Sequence, residues 1–156
     1  MKQILIFLTL ISFISVNAQQ EDRQAVQETI ETFFKGFHEQ DSVLIRSVVN
    51  DKVVMQSIGQ DKNGETVLHE ADFNEFLKSI ISIPADKSFQ EVLYSYSINV
   101  DGNMANAWTP YSFYFNGEFS HCGVNNFQLI KKNRQWKIIY LIDTRRKAPC
   151  EKASDN

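Results

Sequence analysis

The last third of the chain, from Met104 to Arg146, most constrains the fold. Three long segments rich in aromatic residues follow one another there, and the turns before them contain Asp101-Gly102 and Asn116-Gly117. These dipeptides favour tight hairpin turns, because their residues tolerate the positive φ angles that such turns need. The sequence therefore predicts a meander of antiparallel strands, on which the rest of the chain must pack.

Helical patterns are confined to the first half. Apolar residues at helical spacing predict a first helix from about Asp22 to Glu39. Asp41 with Ser42 can cap a second, short helix that continues through Val49. Asp72 opens a third helix, which Pro84 ends because proline cannot continue the hydrogen-bond ladder.

The remaining segments alternate in the way typical of strands. The predicted strands are Lys52 to Gln60, Glu65 to Glu70, Phe89 to Val100, Met104 to Phe115, Phe119 to Lys131 and Trp136 to Thr144. The order α-α-β-β-α-β-β-β-β predicts an α+β fold, with helices on one face of a strongly curved, mixed or antiparallel sheet. Pro110 predicts a bulge or kink. Because bulges reverse the alternation, the pattern leaves open which face of each strand points inward.

The first eighteen residues are typical of a signal peptide. Lys2 precedes an apolar run from Ile4 to Val16, and the small residue Ala18 stands before Gln19. The run is shorter than the ~20 residues that span a bilayer comfortably; a retained N-terminal anchor is the alternative. We expect a signal peptide at 1–18 and a single domain at 19–156, periplasmic or secreted, with no membrane partner after cleavage.

Charge and cysteine content narrow the possible partners. The chain has 16 basic and 19 acidic residues, a balance that argues against binding to nucleic acid. Cys122 and Cys150 predict a disulfide in an oxidising compartment, and pairing of the last two strands brings them towards each other. The alternative, a reactive thiol pair, lacks the CxxC spacing. No metal or cofactor is expected, because no ligand-like spacing of His, Cys or acidic residues occurs.

Asp143 is the most informative candidate for a site residue. It ends an apolar strand, and it is either a general base in a cavity or the structural partner of Arg145 two residues later. Arg145 itself can bind an anionic group or remain in solvent. His121 is either a polar contact at a cavity mouth or a strand histidine with a backbone partner.

Several aromatic residues can line a pocket. Trp108 and Tyr111 lie on one strand and can stack on a flat heteroaromatic ring. Tyr111 or Tyr140 can also donate a hydrogen bond to a developing oxyanion. The same side chains can equally build a core or a subunit contact.

The order of elements resembles the nuclear-transport-factor-2-like superfamily, a cone-shaped α+β barrel shared with ketosteroid isomerases and SnoaL-like cyclases. A narrower resemblance, to small exported bacterial proteins labelled lumazine-binding, rests on four short motifs. They are His121-Cys122-Gly123, Phe127-Gln128-Leu129, Trp136-Lys137-Ile138 and Asp143-Thr144-Arg145-Arg146. The resemblance implies a fold and a pocket, and a homodimer through the sheet face, which is common in this fold. It implies no reaction.

We therefore predict an exported small-molecule-binding protein whose aromatic pocket takes a ligand such as a pterin- or lumazine-like ring. One alternative is an isomerase or cyclase that uses Asp143 as its base. Another is a dimeric interaction module. For the binding protein, we expect Asp143→Asn to cost ligand affinity without unfolding the chain.

Overall fold

The computed structural model describes the backbone of residues 2–147 and the side chains of residues 19–147. Its helices are α1 Lys2–His38, α2 Ser42–Val48 and α3 Phe73–Ile81. Its strands are β1 Val49–Gln60, β2 Thr66–Ala71, β3 Phe89–Leu93, β4 Ser97–Asp101, β5 Met104–Phe115, β6 Glu118–Lys132 and β7 Gln135–Thr144. The predicted α+β class is confirmed.

The two shorter helices begin where the sequence predicts. Asp41 accepts hydrogen bonds of 2.9 Å from the backbone N–H groups of Val43 and Leu44. Asp72 caps α3 in the same way: its side chain accepts hydrogen bonds of 2.9 and 3.0 Å from the backbone N–H groups of Asn74 and Glu75. Within the described part of the chain, no helix is apolar over a long enough stretch to cross a bilayer. The side chains of the predicted signal peptide, 1–18, lie outside the described residues.

The strands form one mixed sheet in the order β2-β1-β7-β6-β5-β3, and β4 also pairs with β5. Strands β1 and β7 are parallel, whereas the other neighbours are antiparallel. The sheet does not close into a complete barrel: β2 and β3 are its two ends. The last strand of the described residues, β7, therefore lies in the middle of the sheet.

The prediction of one strand from Phe89 to Val100 was wrong, because the segment forms two strands, β3 and β4. Residues 94–96 separate them, and Tyr94 donates its backbone N–H to the carbonyl of Pro110 at 3.0 Å. Pro110 has no N–H to return, so the neighbouring strand leaves the ladder there. The irregularity expected at Pro110 thus lies in the strand beside it, while Pro110 itself stays in register opposite Val124 on β6.

A bulge in β7 decides which side chains of that strand point inward. Ile138 pairs with Leu129 and Tyr140 pairs with Gln128, so Ile139 is an extra residue. Residues of both parities are consequently buried along β7: Trp136 and Ile138 before the bulge, Leu141 and Asp143 after it. The bulge therefore turns Asp143 to the same side of the sheet as Ile138.

The concave face of the sheet packs on α1 and α3. Phe33 and Phe34 of α1 each meet Phe127 of β6 edge to face, with ring centroids 6.1 Å apart. On β5, Ala105, Ala107, Thr109 and Tyr111 are buried on this face. Trp108 belongs to the opposite set and is 51% exposed.

Candidate functional site

A cavity of about 310 Å³ lies between α1, α3 and the concave face of the sheet. This volume falls at the lower end of the range for small-molecule sites, roughly 300 to 1,000 Å³. Its apolar wall contains Phe33, Phe34, Phe37, Met55, Phe76, Ile80, Phe113 and Leu141. Its polar end contains Ser57, Glu91, His121, Asn125, Asp143 and Arg145.

Asp143, at the end of β7, is held by three donors. Its Oδ1 accepts from the hydroxyl of Ser57 on β1. Its Oδ2 accepts from the Tyr111 hydroxyl at 2.9 Å and from Arg145 Nε at 2.8 Å. Both carboxylate oxygens are thus occupied inside the protein, and the ion pair with Arg145 matches the structural alternative for this residue.

Gly123 allows this arrangement. It lies on β6 directly opposite Tyr111, between that tyrosine and the end of β7. A Cβ added to Gly123 would lie 1.7 Å from the carbonyl oxygen of Thr144, far inside contact distance. The Tyr111 hydroxyl also lies 3.0 Å from that carbonyl oxygen. Only glycine therefore lets the end of β7 approach β6 closely enough for Tyr111 to reach Asp143.

Glu91 is the acidic residue of the cavity that the sequence analysis missed. It lies on β3, and its Oε1 accepts from Asn125 Nδ2 at 2.7 Å. Burial raises the pKa of Glu91 to about 7, and the charge of Asp143 acts in the same direction against the opposing effects of Asn125 and Arg145. A readable signal existed: Glu91 alternates with Phe89 and Leu93, so it occupies an apolar position of its strand.

The backbone of Glu91 is anchored to α1. Its N–H donates to Nε2 of His38 at 2.9 Å, so that nitrogen carries no proton in the folded chain. Burial lowers the pKa of His38, in agreement with a neutral ring. His38 therefore fixes the position of β3 relative to the helix.

His121 lines the cavity, as the functional hypothesis for this residue proposed. Its ring centroid lies 5.0 Å from that of Phe113 and 5.8 Å from that of Tyr111. Its Nδ1 lies 3.1 Å from the hydroxyl of Ser120. Burial lowers the pKa of His121, and Arg145 acts in the same direction while Asp143 opposes it. The imidazole is consequently a neutral polar group at pH 7.

The other predicted aromatic residues lie in different places. Tyr111 contributes its hydroxyl to the Asp143 network, and burial, followed by the charge of Asp143, raises its pKa. Trp108 lies on the outer face of the sheet. Tyr140 points away from the side of Leu141 and donates to Gln56. The aromatic wall therefore comes from the helices and Phe113, and Trp108 and Tyr140 are not part of the cavity.

Cys122 is buried on β6 and exchanges two backbone hydrogen bonds with Arg146, of 2.9 and 2.8 Å. This register agrees with the sequence argument that the chain after β7 returns to Cys122. Cys150 lies outside the described residues, so the disulfide remains a prediction. Over residues 19–147, no group of three His, Cys, Asp or Glu side chains is arranged to hold a metal ion.

Neither a family model nor a curated protein matches the sequence, but solved structures match the fold. An NTF2-like protein of unknown function from Shewanella baltica is 14% identical, covers 82% of this chain and 96% of its own, and has a TM-score of 0.59. A cystatin-like-fold protein of unknown function from Nostoc punctiforme is 11% identical, covers 81% and 92%, and has a TM-score of 0.63.

A third similar structure is an NTF2-like protein with a cystatin-like fold from Novosphingobium aromaticivorans. It is 12% identical, covers 90% of this chain and 92% of its own, and has a TM-score of 0.65. Identities this low show the fold alone. The chain thus has the nuclear-transport-factor-2-like fold that the resemblance implied, and its function must be argued from the cavity.

Proposed function

We propose that the protein binds a small, mostly apolar ring compound in the cavity between α1, α3 and the sheet. The observation that carries this proposal is a space of about 310 Å³ that its own side chains leave unfilled. Its phenylalanine wall favours an apolar ligand by the hydrophobic effect, and the few polar groups at one end can fix the orientation of that ligand.

The arrangement of the wall suits a flat ligand. The Phe76 ring on α3 is almost parallel to those of Phe33 and Phe37 on α1, with interplanar angles of 5° and 3°. Flat rings add stacking or edge contacts to the area they bury on such walls. A pterin- or lumazine-like heteroaromatic is one candidate, because its carbonyl groups could meet the polar end.

A cavity-filling substitution tests the proposal. Met55 lines the cavity, whereas its neighbour Val54 points to the other side of β1 and is exposed. We expect Met55→Trp to lower ligand retention at least about tenfold, while Val54→Trp leaves it unchanged. The measurement is mass spectrometry of small molecules released from denatured protein, after thermal unfolding has shown both variants to be folded.

Equal retention by the two variants would contradict the proposal. If Met55→Trp fails to fold, Leu141→Phe, with a smaller increase in volume at the same wall, replaces it.

The geometry does not favour the alternative in which Asp143 is a general base. Three donors already bond to its two oxygens, which leaves about one of the four lone-pair positions for a substrate. The same network changes the expectation for Asp143→Asn. Because the side chain joins β1, β5 and β7, we now expect this substitution to reduce stability as well as affinity.

We also propose that the domain at 19–156 is exported and forms a homodimer through the outer face of the sheet. Signal-like residues at 1–18 support export. The test is to determine the N-terminal residue of the mature protein, which should be Gln19.

The dimer is supported by exposed apolar side chains on the outer face of the sheet. They are those of Trp108 and of Met104 and Ile130, which lie directly opposite each other. Sedimentation velocity should show dissociation for Trp108→Ser but not for Leu68→Ser, at an exposed position of edge strand β2.

A further inference from the structure

We propose that Glu91 makes the cavity select uncharged ring compounds that carry a hydrogen-bond acceptor, such as a carbonyl oxygen, over carboxylates and other anions. The inference rests on the proposed binding function and names the class of ligand for the same site. It follows from the bonding of the Glu91 carboxyl group and from the charges around it.

One oxygen of Glu91 is available to a ligand. The amide Nδ2 of Asn125 can only donate, so Oε1, which it contacts at 2.7 Å, must be an acceptor. Asn125 is itself buried. No described residue bonds to Oε2, so in the neutral acid the proton lies on Oε2. Because Glu91 lines the cavity, this O–H can serve as a donor to a bound molecule.

The strongest charges near Glu91 cancel. Asp143 on β7 and Arg145, just after the end of that strand, form an ion pair of 2.8 Å. On α1, Glu31 and Glu39 outnumber Lys35 in an outer groove that also borders Glu91, so that side offers an anion no net attraction. An Arg145 guanidinium without a partner would favour an anion, but here its charge is already matched by Asp143.

The titratable groups on the other sides of Glu91 are neutral at pH 7. Burial lowers the pKa of His38 on α1 and of His121 on β6, and it raises the pKa of Tyr111 on β5. Glu91 itself, with a pKa raised to about 7, is mostly protonated at pH 6. An anionic ligand would therefore bring an uncompensated charge into a partly desolvated site, whereas a carbonyl oxygen gains a donor.

Ionisation of Glu91 should weaken binding of such a ligand. Above pH 7 the group loses its donor proton and presents a negative charge to the acceptor atom. If only the protonated form binds, apparent affinity follows the protonated fraction, which falls about tenfold between pH 6 and pH 8 for a group that titrates near 7. The two histidines, whose pKa values are lowered from 6.5, are separated from this step by the non-titrating variant Glu91→Gln.

Two probes of nearly equal shape test the inference: 2-acetylnaphthalene, an uncharged ketone, and 2-naphthoate, an anion. Titration calorimetry on the full domain at pH 6 should show the ketone binding at least about tenfold more tightly. Its affinity should fall about tenfold by pH 8. In Glu91→Gln, whose amide keeps an acceptor for Asn125 and a donor for the ligand, the affinity should be the same at both pH values. In Glu91→Leu it should be about tenfold weaker at pH 6, through loss of one hydrogen bond.

Equal or tighter binding of the naphthoate would overturn the inference while leaving the binding function intact. A fall in the affinity for the ketone between pH 6 and pH 8 that persists in Glu91→Gln would also overturn the inference. Failure of both probes to bind would also overturn it, and the comparison of Met55→Trp with Val54→Trp then decides separately whether the cavity holds a ligand.

Discussion

The two acidic side chains of the cavity, Asp143 and Glu91, are held in different ways. Three side chains donate to Asp143, and one donates to Glu91. Asp143 ends a central strand, whereas Glu91 lies on β3, a five-residue strand at one end of the sheet. A carboxyl group whose two oxygens both accept hydrogen bonds inside the protein organises the fold, whereas one with an unbonded oxygen can serve a ligand.

The surroundings of the two residues differ in the same sense. Around Asp143, the strands approach so closely that Gly123 has no room for a side chain. Around Glu91, the apolar cavity lies on one side and an open groove on the other. The polar end of the site thus has one half fixed by packing and one half available for contact.

The substitution with the largest expected effect tests whether packing fixes the part of the polar end that surrounds Asp143. Gly123→Ala should lower the free energy of unfolding by at least about 3 kcal/mol, because the new methyl group meets a backbone oxygen that cannot rotate away. Gly59→Ala on β1 is the control, since a Cβ there has no neighbour within 4 Å. Urea denaturation measures the free energy of unfolding of both variants. A loss below about 1 kcal/mol for Gly123→Ala would show that the end of β7 can move.

The next effect concerns the cost of burying the Glu91 charge. The pKa of Glu91 is raised from 4.5 to about 7 in the folded state, so between these values the folded chain binds more protons than the unfolded chain. The stabilisation is complete below pH 4.5 and is lost as pH rises through 7, by roughly 3 kcal/mol.

Glu91→Gln removes this pH dependence, because the amide does not titrate. From pH 4.5 to pH 8, the unfolding free energy of the variant should rise relative to the wild type by roughly 2 to 3 kcal/mol. Urea unfolding at a series of pH values measures the difference. Curves that stay parallel across this range would mean that the Glu91 carboxyl is well solvated, and the contrast with Asp143 would be lost.

The smallest effect compares two tyrosine hydroxyls. Tyr111→Phe removes a donor to the buried Asp143 and should cost about 1 to 2 kcal/mol. Tyr140→Phe, on the outer face, removes a bond to the partly exposed Gln56 and should cost less than about 1 kcal/mol. Thermal unfolding of the pair measures the difference. An equal cost at both positions would argue that the Asp143 network adds nothing beyond an ordinary hydrogen bond.

Local chemistry was enough to predict much of the fold. Asp41 and Asp72 cap their helices where expected, because a cap depends on residues within one turn. The hairpins before and after β5 turn at Gly102 and Gly117, whose φ angles are +57° and +77°. Each of these features is decided by a few adjacent residues.

Features that depend on the neighbouring strand could not be read from the sequence. The extra residue Ile139 becomes visible only in the pairing of β6 with β7, and it reverses the faces on which Asp143 and Tyr140 lie. The break between β3 and β4 likewise depends on Pro110 in another strand. Two of the three donors to Asp143 come from the distant strands β1 and β5, so their number could not be predicted from the Asp143-Thr144-Arg145-Arg146 motif.

The parallel pairing of β1 with β7 has a consequence for how the chain is made. Ser57 and Asp143, which face each other in that pair, are separated by most of the domain, and β7 is the last of the described strands to be synthesised. A chain that is interrupted before residue 135 would hold two partial sheets, each with an unpaired edge where β7 belongs. Such edges recruit other chains, so nascent or truncated forms of this protein should depend on chaperones until β7 is inserted.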